Sequence, residues 1–169
     1  TMSHGEGWRF LQLGVYLERA QLISRLLDVC FGDAAGGYHL DEHFAQLSVL
    51  RMACALEPYL RVYGAEIEQK HMINFILFDK EYPRSIRFSA ARIQEHLTGI
   101  GSQVEALDSP RPERLAGRLS ARVEFADFEA FSRVGASNYL ATVVAECARI
   151  HEAVYETFVA YPLEERLPA

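Results

Sequence analysis

At 169 residues, half of them hydrophobic and 24% charged, the chain has the composition of a soluble globular protein. It is long enough to bury about 70% of its unfolded surface in one core. A net charge of −6 argues against a nucleic-acid or anionic-membrane surface as its main business, and three widely spaced cysteines with no basic-then-apolar leader and no apolar run of about 18 residues set the expectation of a reduced, cytoplasmic protein without a membrane span.

The pattern is helical almost throughout, with no run of strand alternation. The first helix is predicted over 7–31. At 100° per residue, Gly14, Glu18, Gln21, Arg25 and Asp28 fall on one narrow stripe, and the rest of the circumference is nearly all apolar. That inverts the usual surface helix, so the segment reads as a central helix buried on most sides. Arg19 falls in the apolar arc between Trp8, Val15, Ile23 and Leu26. A guanidinium there needs a buried acidic or carbonyl partner. The glycine-rich stretch over 32–37 is the clearest connector.

A second helix starts near Leu40, with Asp41 and Glu42 in its acidic first turn. Its expected buried positions are Leu40, Phe44, Leu47, Leu50, Cys54 and Tyr59, and Pro58 is expected to kink or end it. A third, over 67–78, carries Met72, Phe75, Ile76 and Phe78. After the Tyr82-Pro83 turn a fourth runs from Ile86 through Ile93, Leu97 and Ile100 toward Leu107. A turn at 108–112 opens a fifth helix with Leu115, Leu119 and Val123 inside, possible as far as Phe131. The last starts at Ser137 or Asn138, both good N-caps. The expected fold is all-α: an antiparallel helical bundle of about six helices, at least roughly 65% helical and without a sheet. Residues 1–160 form a single domain, and 161–169 a loose tail.

Chemistry is sought among charged residues in apolar settings: Glu18, Arg19, Arg25, Arg51, Asp79, Arg84 and Arg87, with Ser85 beside them. One reading is a structural carboxylate–guanidinium network that fixes helix register. The other is an anion site lined by Arg25, Arg84 and Arg87, with Ser85 as cap or ligand. Asp79 should cap or approach the Tyr82-Pro83 turn, with Pro83 in the first turn of the following helix. Glu18 should lie close to Arg84 or Arg87 if the two segments meet. His39 and His43 have the i, i+4 spacing of a metal clasp but no third ligand, so no metal is expected. No P-loop, dinucleotide fingerprint, nucleophile elbow or paired-cysteine motif occurs, and no cofactor is expected.

Gly7-Trp8-Arg9-Phe10-Leu11, Leu13-Gly14 and Leu17-Glu18-Arg19-Ala20 together resemble the signature of the bacterial alpha-E domain, an all-helical family of uncertain function with a Glu-Arg motif. The resemblance continues at Val49-Leu50-Arg51, Ala53 and Ala55-Leu56-Glu57, and is most specific from Phe75 to Phe88, around Tyr82-Pro83-Arg84-Ser85-Ile86-Arg87. Pro58 and Val15 depart from the family pattern. Longer members carry a related Leu-Glu-Arg helix nearer their start, and this chain resembles their later half. The resemblance implies association with ATP-grasp ligase-like and transglutaminase-like proteins in peptide or amide bond metabolism.

Two functions follow as expectations. The first is a helical accessory domain whose partner is such a protein, the other half of a longer chain, or a second copy. The alternative is an enzyme or ligand-binding domain with a Glu/Arg site for an anionic peptide or phosphate. A deep pocket lined by Glu18, Arg25 and Arg84 would favour the alternative, and an apolar docking face the first.

Overall fold

The three-four spacing of Ile86, Ala90, Ile93, Leu97 and Ile100 becomes a continuous buried helix face. Leu115, Leu119 and Val123 line the next long helix in the same way, and Leu140, Val143, Cys147 and Ile150 the last. The computed structural model describes residues 5–32, 42–100 and 111–160. Its elements are α1 (Glu6–Phe31), α2 (Glu42–Met52), α3 (Leu56–Tyr63), α4 (Gln69–Ile73) with a π-helical turn (Asn74–Phe78), α5 (Ile86–Ile100), α6 (Pro112–Glu124), α7 (Phe128–Val134) and α8 (Ala136–Phe158). Among the described residues 82% are helical and none is in a strand.

α1 and α6 each pack against both α5 and α8, so the four long helices close a ring around one core. Neighbours run antiparallel. Trp8 at the start of α1 meets His96 late in α5, while Arg19 meets Pro83 just before α5. Phe10 meets Phe158 at the far end of α8, and Asp28 meets Ser137 at its start. Arg87 early in α5 reaches Glu124 at the end of α6. The shorter α2, α3, α4 and the π-turn form a flank, whose Met72, Ile73, Phe75, Ile76, Leu77 and Phe78 are all buried.

Among the described residues eight α-helices stand where about six were expected, because two predicted helices are broken. The second stops at Met52: Cys54 takes a positive φ of 55°, and the amides of Cys54 and Ala55 turn back to the carbonyls of Arg51 and Leu50. Pro58 then lies in the first turn of α3, where its missing N–H costs little. The fifth stops at Glu124, and Asp127 opens α7 by accepting from the Ala130 amide at 2.8 Å.

Leu50 and Tyr59 are buried as expected, but Gln46 and Val49 of α2 and Ala53 just after it are also inside, while Phe44 and Cys54 are exposed. α8 begins one residue before the expected caps, after Gly135. Ser137 instead donates to Asp28 at 2.7 Å and ties α8 to the end of α1. α1 is not enclosed on most sides, since Leu11, Val15, Leu22 and Val29 are exposed. The expected connector from 33 to 37, the pair partner His39, the continuation to Leu107 and the tail after 160 lie outside the described residues.

Candidate functional site

Asp79 ends the π-turn, and its Oδ1 accepts from the amides of Glu81 and Tyr82, each at 2.7 Å. Two backbone donors on one carboxylate close the chain into a tight turn. The Ser85 amide donates to the Tyr82 carbonyl at 3.0 Å, with Pro83 holding the second position that its fixed φ suits. Pro83 thus precedes the cap of α5 and does not enter the helix. Ser85 is the cap, because its Oγ accepts from the Phe88 amide at 2.9 Å and donates to the Asp79 carbonyl.

Two side chains pin this turn to the bundle. Arg19 Nη1 donates to the Pro83 carbonyl at 2.8 Å, and its guanidinium lies 5.1 Å from the Tyr16 ring centre. Tyr82 is buried, stacks on Phe75 at 4.6 Å and donates its hydroxyl to the Ala53 carbonyl at the end of α2, at 2.8 Å. The Glu-Arg helix and the Tyr-Pro-Arg-Ser turn therefore meet in space, but through a cation on a carbonyl. Arg19 was expected to be largely buried; it is half-buried, because its head emerges where α1 meets the turn. Arg19→Met is expected to lower stability by about 1–2 kcal/mol, the worth of one hydrogen bond and one ring contact. Urea unfolding checks it: a loss of about 4 kcal/mol or more would mean that the arginine neutralises a buried acid.

Glu18, Arg19 and Arg84 share an open groove of about 410 Å³ with Val15, Leu22, Ile23, Leu26 and Met52. The other expected site residues lie apart from it. Arg87 donates to the Phe78 carbonyl at 3.4 Å and stands 3.8 Å from Glu124. Arg25 lines a second groove with Ser24 and Asp28 against Leu140, Ala141, Val144, Ala145 and Ala148 of α8. Arg51 is exposed in the last turn of α2. Asp79 Oδ1 and Ser85 Oγ are engaged by backbone groups of the turn. No group of three or more His, Cys, Asp or Glu is placed to hold a metal among the described residues, and no described helix is long and apolar enough to cross a membrane.

Sequence reasoning passed over Tyr82 as an anchor and Arg122, whose guanidinium makes two 2.9 Å bonds to Glu146 between α6 and α8. An acid three residues before Tyr-Pro, with a serine after, is the legible signal of a pinned turn. The helical spacing of Arg122 carried no such mark.

His96 is buried against Trp8 (5.3 Å) and stacked on Tyr16 (5.9 Å), with no partner for its Nδ1 among the described residues. Burial lowers its pKa; Glu95 opposes this, while Arg9 and Arg92 add to it. The unfolded chain therefore takes up the proton first. Stability should be flat above about pH 6.5 and fall as pH drops below it, until the folded-state pKa is reached. Urea midpoints from pH 8 to 5 test this, and His96→Phe should flatten the profile; an equal slope in that variant would assign the effect elsewhere.

The chain was compared with known proteins. A family model described as Alpha-E, a predicted alpha-helical domain with a conserved ER motif, matches residues 1–159. The uncharacterized proteins Rv2567 of Mycobacterium tuberculosis and Mb2597 of Mycobacterium bovis are each 24% identical over 156 residues. That alignment covers 91% of this chain but 17% of either relative, so the chain spans about a sixth of their length. No solved structure matches. The chain belongs to the Alpha-E family.

Proposed function

We propose that the domain is a non-catalytic helical scaffold that works by protein–protein contact through the open face of α1, in the service of ATP-grasp ligase-like or transglutaminase-like proteins. The observation that carries this is the groove beside α1. Five of its eight lining residues are apolar (Val15, Leu22, Ile23, Leu26, Met52), and its wall carries one carboxylate and no serine, cysteine or histidine. Arg19, the cation that an anionic ligand would need beside Arg84, already gives a donor to the Pro83 carbonyl. Apolar side chains left in water on a preformed helix are the mark of a docking face. Support for the partner class comes from the family resemblance.

The test is co-purification of the tagged chain from its native cell, with Leu22→Glu in parallel. Recovery of an ATP-grasp-like or transglutaminase-like protein with the unmodified chain, lost with Leu22→Glu, is the expected result. Recovery of neither class overturns the partner assignment. Heat of binding to inorganic phosphate or an acidic peptide that vanishes in Arg84→Ala would overturn the docking reading in favour of a ligand site.

A further inference from the structure

Along α1, residues 11, 15, 18, 22, 25 and 29 recur at alternating spacings of four and three, which is a heptad seam. On a helix they share an arc of about 80° and a length of about 27 Å. Its apolar members are open to solvent: Leu11 is 53% exposed, Val15 37%, Leu22 54% and Val29 78%. The other two, Glu18 and Arg25, are exposed residues of opposite charge one heptad apart. Beside the seam, Gly14 presents bare backbone, where an added Cβ would meet nothing within 4 Å. The helices that pack on α1, namely α5, α8 and α2, leave this arc free.

We propose that a second copy of this chain occupies the arc, its α1 lying antiparallel to the first across a two-fold axis level with residue 20. This goes beyond the docking reading above: it keeps the exposed face of α1 as a contact surface and places a second copy there instead of a ligase-like protein. The argument is self-complementarity. About that axis Leu11 falls opposite Val29 of the other copy, Glu18 opposite Leu22, and Val15 opposite Arg25. Every apolar seam residue then gains cover, and each Glu18 lies one layer from the other copy's Arg25. The two-fold makes that ion pair twice. A two-fold interface must present the same patch on both sides, and of its two senses only the antiparallel one brings the acid of one seam near the base of the other. In a parallel pair in register, Glu18 would face Glu18 and Arg25 would face Arg25, which is repulsive. Because the bundle already holds α1 helical, association need not meet the cost of helix nucleation.

Sedimentation velocity on the full chain tests this with a charge exchange. The unmodified chain should sediment as a dimer. Glu18→Arg alone and Arg25→Glu alone place like charges together at both pairs, and each should sediment as a monomer. Mixed in equal amounts they should form a heterodimer, since every cross-pair is then complementary. Both positions are exposed, so the bundle survives, as circular dichroism would verify. Gly14→Leu, which adds its side chain to open space within the fold, should also yield a folded monomer. A monomeric unmodified chain at every accessible concentration, a dimer indifferent to either charge reversal, or variants that stay monomeric when mixed would each overturn the proposal. The two readings fail separately. A monomer that still recovers its ligase-like partner through Leu22 refutes the second copy and leaves the scaffold reading standing. A charge-exchangeable dimer that recovers no such partner does the reverse.

Discussion

Tyr82→Ala should lower stability by about 3–5 kcal/mol, the range for truncating a large buried aromatic. Tyr82→Phe should lower it by only about 1–2 kcal/mol, the worth of one buried hydrogen bond. The side chain does two separable jobs. Its ring fills the space over Phe75 at 4.6 Å, and its hydroxyl satisfies the Ala53 carbonyl at 2.8 Å, where α2 ends and the chain turns into α3. Burial pushes this phenol up to about 12, so it holds its proton throughout the neutral range. Urea denaturation of both variants measures the split. If the phenylalanine variant lost as much as the alanine one, the hydroxyl contact would dominate, and the turn would be anchored by its hydrogen bond more than by its ring.

Alkaline pH should unfold the domain in a predictable order. Burial raises the Cys147 thiol from 9.0 to about 12 and the phenols of Tyr82 and Tyr139 from 10.0 to about 12. Each folded pKa lies above its unfolded value, so these contributions are whole below pH 9 and are lost as pH rises toward 12. The loss runs at about 1.4 kcal/mol per pH unit for each group, starting with Cys147 near pH 9 and joined by the tyrosines near pH 10. By about pH 11 the sum is about 5 kcal/mol, comparable to the whole stability of a marginal domain. Guanidinium midpoints from pH 8 to 11 would show this, and Cys147→Ala should shrink the loss between about pH 9 and 10 to the share of Cys30, whose thiol burial also raises. An undiminished loss over that range in the variant would place the ionisation at another group. With His96 acting on the acid side, the domain is most stable between about pH 6.5 and 9.

Glu18 and Arg19 divide their labour between surface and fold. Arg19 reaches inward to the Pro83 carbonyl, and Glu18 looks outward along the α1 face. The arginine half of the pair therefore belongs to the fold, joining two segments 64 residues apart in the chain. The glutamate half belongs to the surface, where its charge is available to a partner. A structural hydrogen bond is enough to join the two segments without a shared active site.

Much of this protein was determined by its sequence alone. Three-four periodicity from Ile86 to Ile100, from Leu115 to Val123 and from Leu140 to Ile150 set three of the four bundle helices and their buried faces, because burying one stripe per helix leaves few other architectures. Asp79, Tyr82, Pro83 and Ser85 announced a capped turn, since each residue type acts there through local backbone chemistry. Tertiary structure alone decided the rest. The polar stripe of α1 marked an exposed line, but that the open face extends to Leu11, Val15, Leu22 and Val29 could not be read from a helix apolar nearly all round; only the positions of α5 and α8 settle it. The break after Met52 depends on the Cys54 backbone and on Tyr82 arriving from elsewhere in the chain to take the Ala53 carbonyl. The eight charged and polar candidates looked alike in sequence, yet they separate into a groove, a turn and three outlying positions, Arg25, Arg51 and Arg87. Local patterning records what a residue prefers, whereas its partner is set by how the helices pack.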